Sequence, residues 1–319
     1  MAVAAILVWM SRGLANGESL ADHVGRVQLQ WLALSIALSL QDVGTDALAL
    51  DRIEPRDRGL ANGVMLGGHH LGAEGLGGMA VGAAVVAAGA SWGLAAMAVV
   101  FAALAVVPML LPVAQTSGRP RVPMALGPAL KSMFSTPAAR LGFTLAAVVM
   151  LADVATSAVS GAFWVQRLGW GPERIAGELA PLVLGSSVVG YLIAALVVDR
   201  LGHASATWVG AAALGALWVA FALAEPLWSV DAFMWAFVGL QTVATALMYV
   251  GVHALLMGAT SPKVRATHFA VLMALLNLPR VLVPPLAPAL LGALGFAGLF
   301  AACGVFQLGV GLWVRRAAL

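Results

Sequence analysis

LQDVGTDALALDRIEPRDRGLANGVMLGGHHLGAEG, residues 40–75, places charged residues inside and directly beside apolar runs. Two carboxylates, Asp42 and Asp46, lie within what otherwise reads as an apolar span, and a basic turn around Pro55 follows. Charge is expensive to bury in hydrocarbon, so an ionisable residue inside a membrane helix usually marks a polar pathway. We therefore predict that this stretch borders a water-accessible passage whose walls are supplied by the rest of the chain.

The composition of the whole chain predicts an all-α membrane protein. Of its 319 residues 61% are apolar and only 10% charged, whereas soluble domains are about 25% charged. The mean hydropathy is +0.96, and the apolar runs are continuous rather than alternating, which disfavours a membrane β-barrel. The basic residues are scattered, which argues against a nucleic-acid partner. The single cysteine, Cys303, excludes an internal disulfide and makes a thiolate metal site untenable.

Nine apolar runs are each long enough to cross about 30 Å of hydrocarbon. They are 27–50, 60–88, 91–113, 139–164, 176–198, 204–224, 228–259, 266–291 and 293–314, preceded by an apolar stub at 2–10. We predict a partial N-terminal helical half at 1–114, a cytoplasmic linker at 115–138 and a six-helix C-terminal half at 139–319. One set of loops holds 12 of the 17 Lys and Arg residues, which places that side and the C-terminus in the cytoplasm.

An internal repeat relates the two halves. Residues 44–48 align with residues 251–255, and the same offset places Pro55 on Pro262 and Arg58 on Arg265. Repeats of this kind often enclose a solute site between two bundles. The offset also puts the counterparts of residues 190–203 before Met1, so we expect the first two to three helices of a twelve-helix fold to be absent from this sequence.

These features resemble a known family of membrane proteins. Gly190 followed by Asp199-Arg200-Leu201-Gly202 resembles the G-x(8)-D-R-x-G signature of the major facilitator superfamily, although His203 and Ala204 stand where basic residues usually follow. The Q-D-x-x-x-D segment at 41–46, with the P-x-x-R-G turn and A-N-G after it, resembles the branch of anhydromuropeptide permeases and acetyl-CoA transporters.

The resemblance implies a bundle of two pseudo-repeated halves in the cytoplasmic (inner or plasma) membrane. Such a protein is a secondary active transporter, which moves a small polar solute by alternating access and without a cofactor. The branch suggests a sugar-containing or acyl-bearing solute, and the acid pair suggests symport with protons. In the superfamily the spans that carry Asp42, Asp153 and His253 would line the central cavity.

Polar residues within the spans are the candidates for a substrate or proton pathway. Asp42 and Asp46 are four apart on one helical face, where two close carboxylates cannot both ionise easily. Asp153 begins a stripe of small hydroxyl groups, and Arg280 precedes a proline-broken segment, where a cation could bind an anionic group or pair with an acid. The predicted pathway residues are Gln41, Asp42, Asp46, Asp153, Ser157, Tyr249, His253, Asn277 and Arg280. Structural hydrogen bonding between helices is the alternative role for the acid pair and for the stripe that begins at Asp153.

Two further groups complete the predicted machinery. His70 and Glu74, four residues apart, could form a secondary proton relay. The charged residues at the cytoplasmic ends could pair between helices and close that face, or could serve only as topology signals. They are Asp51, Arg52, Arg58, Asp199, Arg200 and Arg265.

Other functional classes have weaker support in the sequence. No nucleophile motif, phosphate-binding loop or metal-ligand spacing is present, so we predict neither an enzyme nor a metal site. An integral-membrane enzyme that uses the acid pairs lacks a nucleophile to accompany them. The competing hypothesis is a truncated or incomplete transporter-like protein that has no transport activity.

Overall fold

The computed structural model describes residues 2–15, 24–72, 75, 78–110, 126–261 and 264–318, and these form two compact units. The first unit comprises Met1–Leu48 and Leu71–Ala125, and the second comprises Ala49–His70 and Leu126–Leu319. Residues 49–70, predicted to belong to the N-terminal half, thus pack with the C-terminal helices. Glu74, Pro262 and residues 115–125 of the predicted linker lie outside the described residues.

Helices account for nearly all of the described chain. They are α1 (Ala2–Ala15), α2 (Val24–Arg52), α3 (Arg58–His70), α4 (Gly78–Ala88), α5 (Ala90–Leu110), α6 (Leu126–Met133), α7 (Pro137–Val148), α8 (Leu151–Ala162), α9 (Pro172–Arg174), α10 (Ala180–Leu201), α11 (His203–Leu223), α12 (Asp231–Ala259), α13 (Arg265–Asn277), α14 (Pro279–Leu282) and α15 (Ala287–Ala318). Among the described residues, seven helical stretches are long and apolar enough to cross a membrane. The all-α membrane fold predicted from composition is confirmed.

The span boundaries differ from the prediction in three places, and two of these fall at residues that disturb a regular helix. The predicted span 266–291 is interrupted around Pro279 and Pro284, because proline lacks the backbone N–H that a helix needs. The predicted boundary after residue 291 falls near Gly295, whose φ of 65° only glycine adopts readily. The predicted span 60–88 is described as two helices, α3 and α4.

The first unit is held by contacts of α1 with α2 and α5. Val3 and Leu7 of α1 bury their side chains against Leu34 and Ala98. Ser11 of α1 also donates a hydrogen bond of 2.8 Å to the carbonyl oxygen of Ser91. Helices α4 and α5 connect through Gly89, whose φ of 91° permits the tight turn between them.

The second unit has a continuous core built on α10, α11, α12 and α15. Glycines allow close approach between α11 and α15: a Cβ on Gly215 would lie 2.7 Å from the carbonyl oxygen of Gly304. At one end of these helices an aromatic cluster closes the core, and Phe163, Phe221 and Phe300 are each about 1% exposed. Small residues at helix crossings are typical of membrane bundles, where dispersion contacts replace the hydrophobic effect as the force between helices.

Candidate functional site

The polar residues of α8 form one stripe, and two of its hydroxyl groups bond within the helix. Thr156 donates to the carbonyl oxygen of Asp153 at 3.0 Å, and Ser160 donates to that of Ser157 at 2.8 Å. Thr156 is buried and Ser157 is exposed. The carboxylate of Asp153 is therefore the part of the stripe that reaches beyond its own helix.

Asp153 and Tyr249 join α8 to α12 through a side-chain hydrogen bond. The Tyr249 hydroxyl donates to Asp153 Oδ2 at 2.5 Å, and Tyr249 is only 7% exposed. One turn further along α12, His253 Nδ1–H donates to the carbonyl oxygen of Tyr249 at 2.8 Å. That bond fixes the proton of neutral His253 on Nδ1 and leaves Nε2 as an acceptor.

His70 and Tyr191 make a second polar contact, between α3 and α10. The Tyr191 hydroxyl and His70 Nε2 share a hydrogen bond of 2.9 Å, and the two rings stack with their centroids 5.0 Å apart. The charges of His70 and Arg280 both act on Asp153, and Tyr191 acts on Tyr249. The second unit thus gathers one group, called here the polar cluster, which consists of His70, Asp153, Tyr191, Tyr249, His253 and Arg280.

Tyr191 was missing from the sequence prediction. The chain contains only two tyrosines, Tyr191 and Tyr249, and both belong to the polar cluster. A phenol inside an apolar span usually has a hydrogen-bond partner, so the rarity of tyrosine was a signal that could have identified Tyr191. His70, predicted as part of a separate relay, lies with the pathway residues, while its predicted mate Glu74 is not described.

Asn277 and Arg280 lie at the proline break after α13. The Asn277 side chain is exposed, and its amide donates to the carbonyl oxygen of Met273 at 2.9 Å. Arg280 is also exposed, and its charge acts on Asp153, Tyr249 and His253. The break in the helix therefore brings Arg280 into electrostatic range of the other members of the polar cluster. The Asn277 amide, in contrast, bonds within its own helix.

The predicted acid pair of α2 belongs to the first unit. Asp42 is exposed and Asp46 is half-buried, and the charge of Asp42 acts on Asp46, as the four-residue spacing predicts. Beside them, Thr45 donates a hydrogen bond of 3.0 Å to the carbonyl oxygen of Gln41, which is exposed. These four polar residues thus lie within about one and a half turns of α2.

Asp199 of the D-R-x-G segment caps a different helix. Its two carboxylate oxygens accept hydrogen bonds from the backbone N–H groups of Gly59 at 2.7 Å and Leu60 at 2.8 Å, in the first turn of α3. His203 Nε2 lies 3.2 Å from Asp199 Oδ1. An anionic acceptor satisfies N–H groups that have no partner within the helix and interacts favourably with the positive end of its dipole.

A row of small residues lets α3 and α10 lie close enough for this cap. A Cβ on Gly63 would fall 2.5 Å from the Cβ of Ala195, and one on Gly67 would fall 3.1 Å from that of Tyr191. Asn62 then ties α3 to α12, since its amide donates to the Met257 sulfur at 3.0 Å. The glycines of α3 thus pack against a specific partner helix, α10.

The remaining charged residues predicted at this end differ in their surroundings. Asp51, Arg52 and Arg200 are exposed, whereas Arg58 and Arg265 are half-buried. Burial lowers the pKa of Arg58, and the neighbouring positive charge of Arg265 lowers it further. The described residues include no group of three or more His, Cys, Asp or Glu side chains placed to hold a metal ion.

A comparison with protein-family models matches residues 27–240 to the Major Facilitator Superfamily. That match covers more than half of the 319 residues. The chain belongs to the major facilitator superfamily. No curated protein matches it.

Membership explains why so many apolar helices occur in one chain. The protein is an integral membrane protein and a membrane transporter of this superfamily, whose substrates are small-molecule solutes. The family part of the sequence prediction is confirmed, and the G-x(8)-D-R-x-G segment that suggested it lies within the matched residues.

Proposed function

We propose that this protein is a secondary active transporter that moves a small polar solute across the cytoplasmic membrane by alternating access. The observation that carries the proposal is the hydrogen bond between Asp153 and Tyr249. Burying a carboxylate and a phenol within apolar spans costs free energy, so their presence favours a solute or proton pathway. The resemblance to the permease branch favours a sugar-containing or acyl-bearing solute.

The polar cluster offers the chemistry that such a solute needs. Tyr191 and Tyr249 supply hydroxyl groups, His253 Nε2 is an acceptor in its neutral form, and Arg280 supplies a positive charge. These groups can exchange their mutual hydrogen bonds for bonds to a solute, because the cluster contains both donors and acceptors. In this proposal Asp153 and Arg280 fix the orientation of the solute, and the tyrosines recognise its hydroxyl or carbonyl groups.

Coupling to protons is proposed for the acid pair of α2. Asp42 and Asp46 repel one another when both are ionised, so taking up one proton relieves that repulsion. The cap that Asp199 places on α3 supports a closed arrangement at the predicted cytoplasmic end of these helices. Opening that end would require the carboxylate to leave the two N–H groups.

Uptake into proteoliposomes tests both parts of the proposal. A panel of amino-sugar, peptidoglycan-fragment and acyl-bearing solutes is presented with and without an inward proton gradient. We expect the gradient to accelerate uptake and Asp46→Asn to abolish that acceleration. Asp153→Asn or Tyr249→Phe should reduce uptake about tenfold or more, because each removes one buried charge-assisted hydrogen bond. Asp57→Asn, an exposed acid in the turn before α3, is the matched control and should transport normally.

Two results would contradict the proposal. Gradient-driven uptake that survives Asp46→Asn would exclude that residue from coupling. Uptake that is unchanged in both Asp153→Asn and Tyr249→Phe would exclude the polar cluster from the solute pathway.

A further inference from the structure

Two arginines related by the internal repeat lie near one another in the second unit. Arg58 begins α3 and Arg265 begins α13, and the repeat offset aligns one with the other. The charge of Arg265 acts on Arg58, so the two guanidinium groups are within electrostatic range. Like charges held together in a half-buried place repel each other, and some other contribution must offset that cost.

Neither guanidinium is neutralised by an acid among the residues that the structure describes. The ion pairs there join other residues, and Arg265 Nη1 donates a hydrogen bond of 3.2 Å to the carbonyl oxygen of Leu50. Arg265 Nε is buried and has no hydrogen-bond acceptor. Buried donors in proteins are nearly always paired, so an acceptor that reached Arg265 Nε would bind there favourably.

A cavity lies beside Gly258, the residue that the Arg58 side chain approaches. Arg58 Nη1 lies 3.1 Å from where a Cβ on Gly258 would be, so the absence of a side chain there makes room for the guanidinium. Gly258 also lines a cavity of about 730 Å³, and the side chain of a third basic residue, Lys131, lines the same cavity. The other polar lining residues all carry hydroxyl groups: Ser132, Ser135, Thr136, Thr260 and Ser261.

We propose that Arg58 and Arg265 bind a phosphate-type oxyanion at the predicted cytoplasmic end of the second unit. The planar guanidinium presents a fork of N–H donors that matches two oxygens of a phosphate group. A bound oxyanion would remove the repulsion between the two arginines and supply an acceptor for Arg265 Nε. The adjacent cavity has the size and the hydroxyl lining to hold the polar remainder of a phosphorylated compound, with Lys131 as an additional positive charge.

A soluble phosphate compound and a phospholipid headgroup would present the same chemistry. The test therefore has two arms, and neither depends on transport, so it is independent of the solute pathway proposed above. In the first arm, calorimetry measures the binding of inorganic phosphate to the full chain in phospholipid-free detergent. In the second, thermal unfolding is compared in phosphatidylcholine nanodiscs with and without phosphatidic acid.

The expected result in at least one arm is binding that depends on both arginines. Arg58→Gln and Arg265→Gln should each weaken it about tenfold or more, the cost of a lost charged hydrogen bond. Arg56→Gln is the matched control, because that arginine lies two residues from Arg58, is 78% exposed and pairs locally with Glu54. Phosphate binding in detergent identifies a soluble ligand, and stabilisation by phosphatidic acid alone identifies a headgroup.

The proposal is overturned if neither probe binds, or if binding to the two Gln variants equals that of the unaltered protein. Arg58→Lys and Arg265→Lys guard against variants that fail to fold, since each keeps the charge but loses the fork. Each Lys variant should fold and should bind the probe more weakly than the unaltered protein does. An affinity for the probe that is unchanged in both Lys variants would also overturn the proposed two-oxygen geometry.

Discussion

The carboxylate of Asp199 shows how one residue can join two helices that are far apart in sequence. It lies near the end of α10, yet it accepts from the first backbone N–H groups of α3. The sequence identified Asp199 only as part of the D-R-x-G segment and predicted that it would pair with a residue of opposite charge. The structure shows that its partners are backbone N–H groups, which no pattern of side chains could reveal.

Asp199→Ala should destabilise the start of α3. The free energy that stabilises this helix end should fall by about 1 kcal/mol, the usual cost of removing a helix cap. Hydrogen exchange of the Gly59 and Leu60 amides, followed by mass spectrometry, should be about fivefold faster, the factor that corresponds to this energy. The neighbouring exposed Arg200→Ala is the control, and exchange that is equally fast in both variants would contradict the cap.

At the scale of the helix, the glycines of α3 determine which neighbour it can approach. Only the face that carries Gly63 and Gly67 meets α10 at short distance, while a Cβ on Gly68 would meet nothing within 4 Å. The sequence shows that this span is rich in glycine but gives neither the face of α3 that packs closely nor its partner helix. The face and the partner both depend on the rotation of α3 about its own axis. Contacts with residues far away in the sequence determine that rotation.

Gly63→Ala and Gly68→Ala therefore form a matched pair of substitutions in one helix. Gly63→Ala should lower the free energy of unfolding by about 1–3 kcal/mol, because its methyl group would overlap Ala195. Gly68→Ala should be neutral or stabilising by up to about 1 kcal/mol, since alanine favours the helix. Unfolding in mixed micelles with increasing denaturing detergent measures both, and equal stabilities would exclude the close approach of α3 to α10.

For the whole molecule, the arginine distribution makes a prediction about orientation in the membrane. The turn that contains Arg56 belongs to the predicted cytoplasmic side, and the turn that contains Glu173 belongs to the opposite side. Both residues are exposed, so a cysteine at either position should react readily with a reagent in the surrounding water.

Single-cysteine proteins test that orientation directly. After Cys303→Ser, Arg56→Cys should react with an impermeant maleimide only in inside-out vesicles, and Glu173→Cys should react only in right-side-out cells. The opposite pattern would reverse the topology, and labelling of both positions from one side would show that the span count between them is wrong.

The sequence alone determined that this chain is a helical membrane protein of the major facilitator type. Hydropathy is a local property that adds along the chain, so the apolar character of the helices, the proline break near Arg280 and the D-R-x-G segment could be read without coordinates, whereas the bounds of every span could not. The candidate acids were found for the same reason, because charge stands out against an apolar background.

Only the tertiary structure decided which polar groups become partners. Tyr249 rather than a cation bonds to Asp153, Tyr191 joins His70, and Asp199 caps α3. A polar side chain in an apolar bundle must find its partner on whichever helix lies against it. That neighbour is chosen by the fit of small and large side chains across helix surfaces, which is a property of the folded molecule and not of any one stretch of sequence.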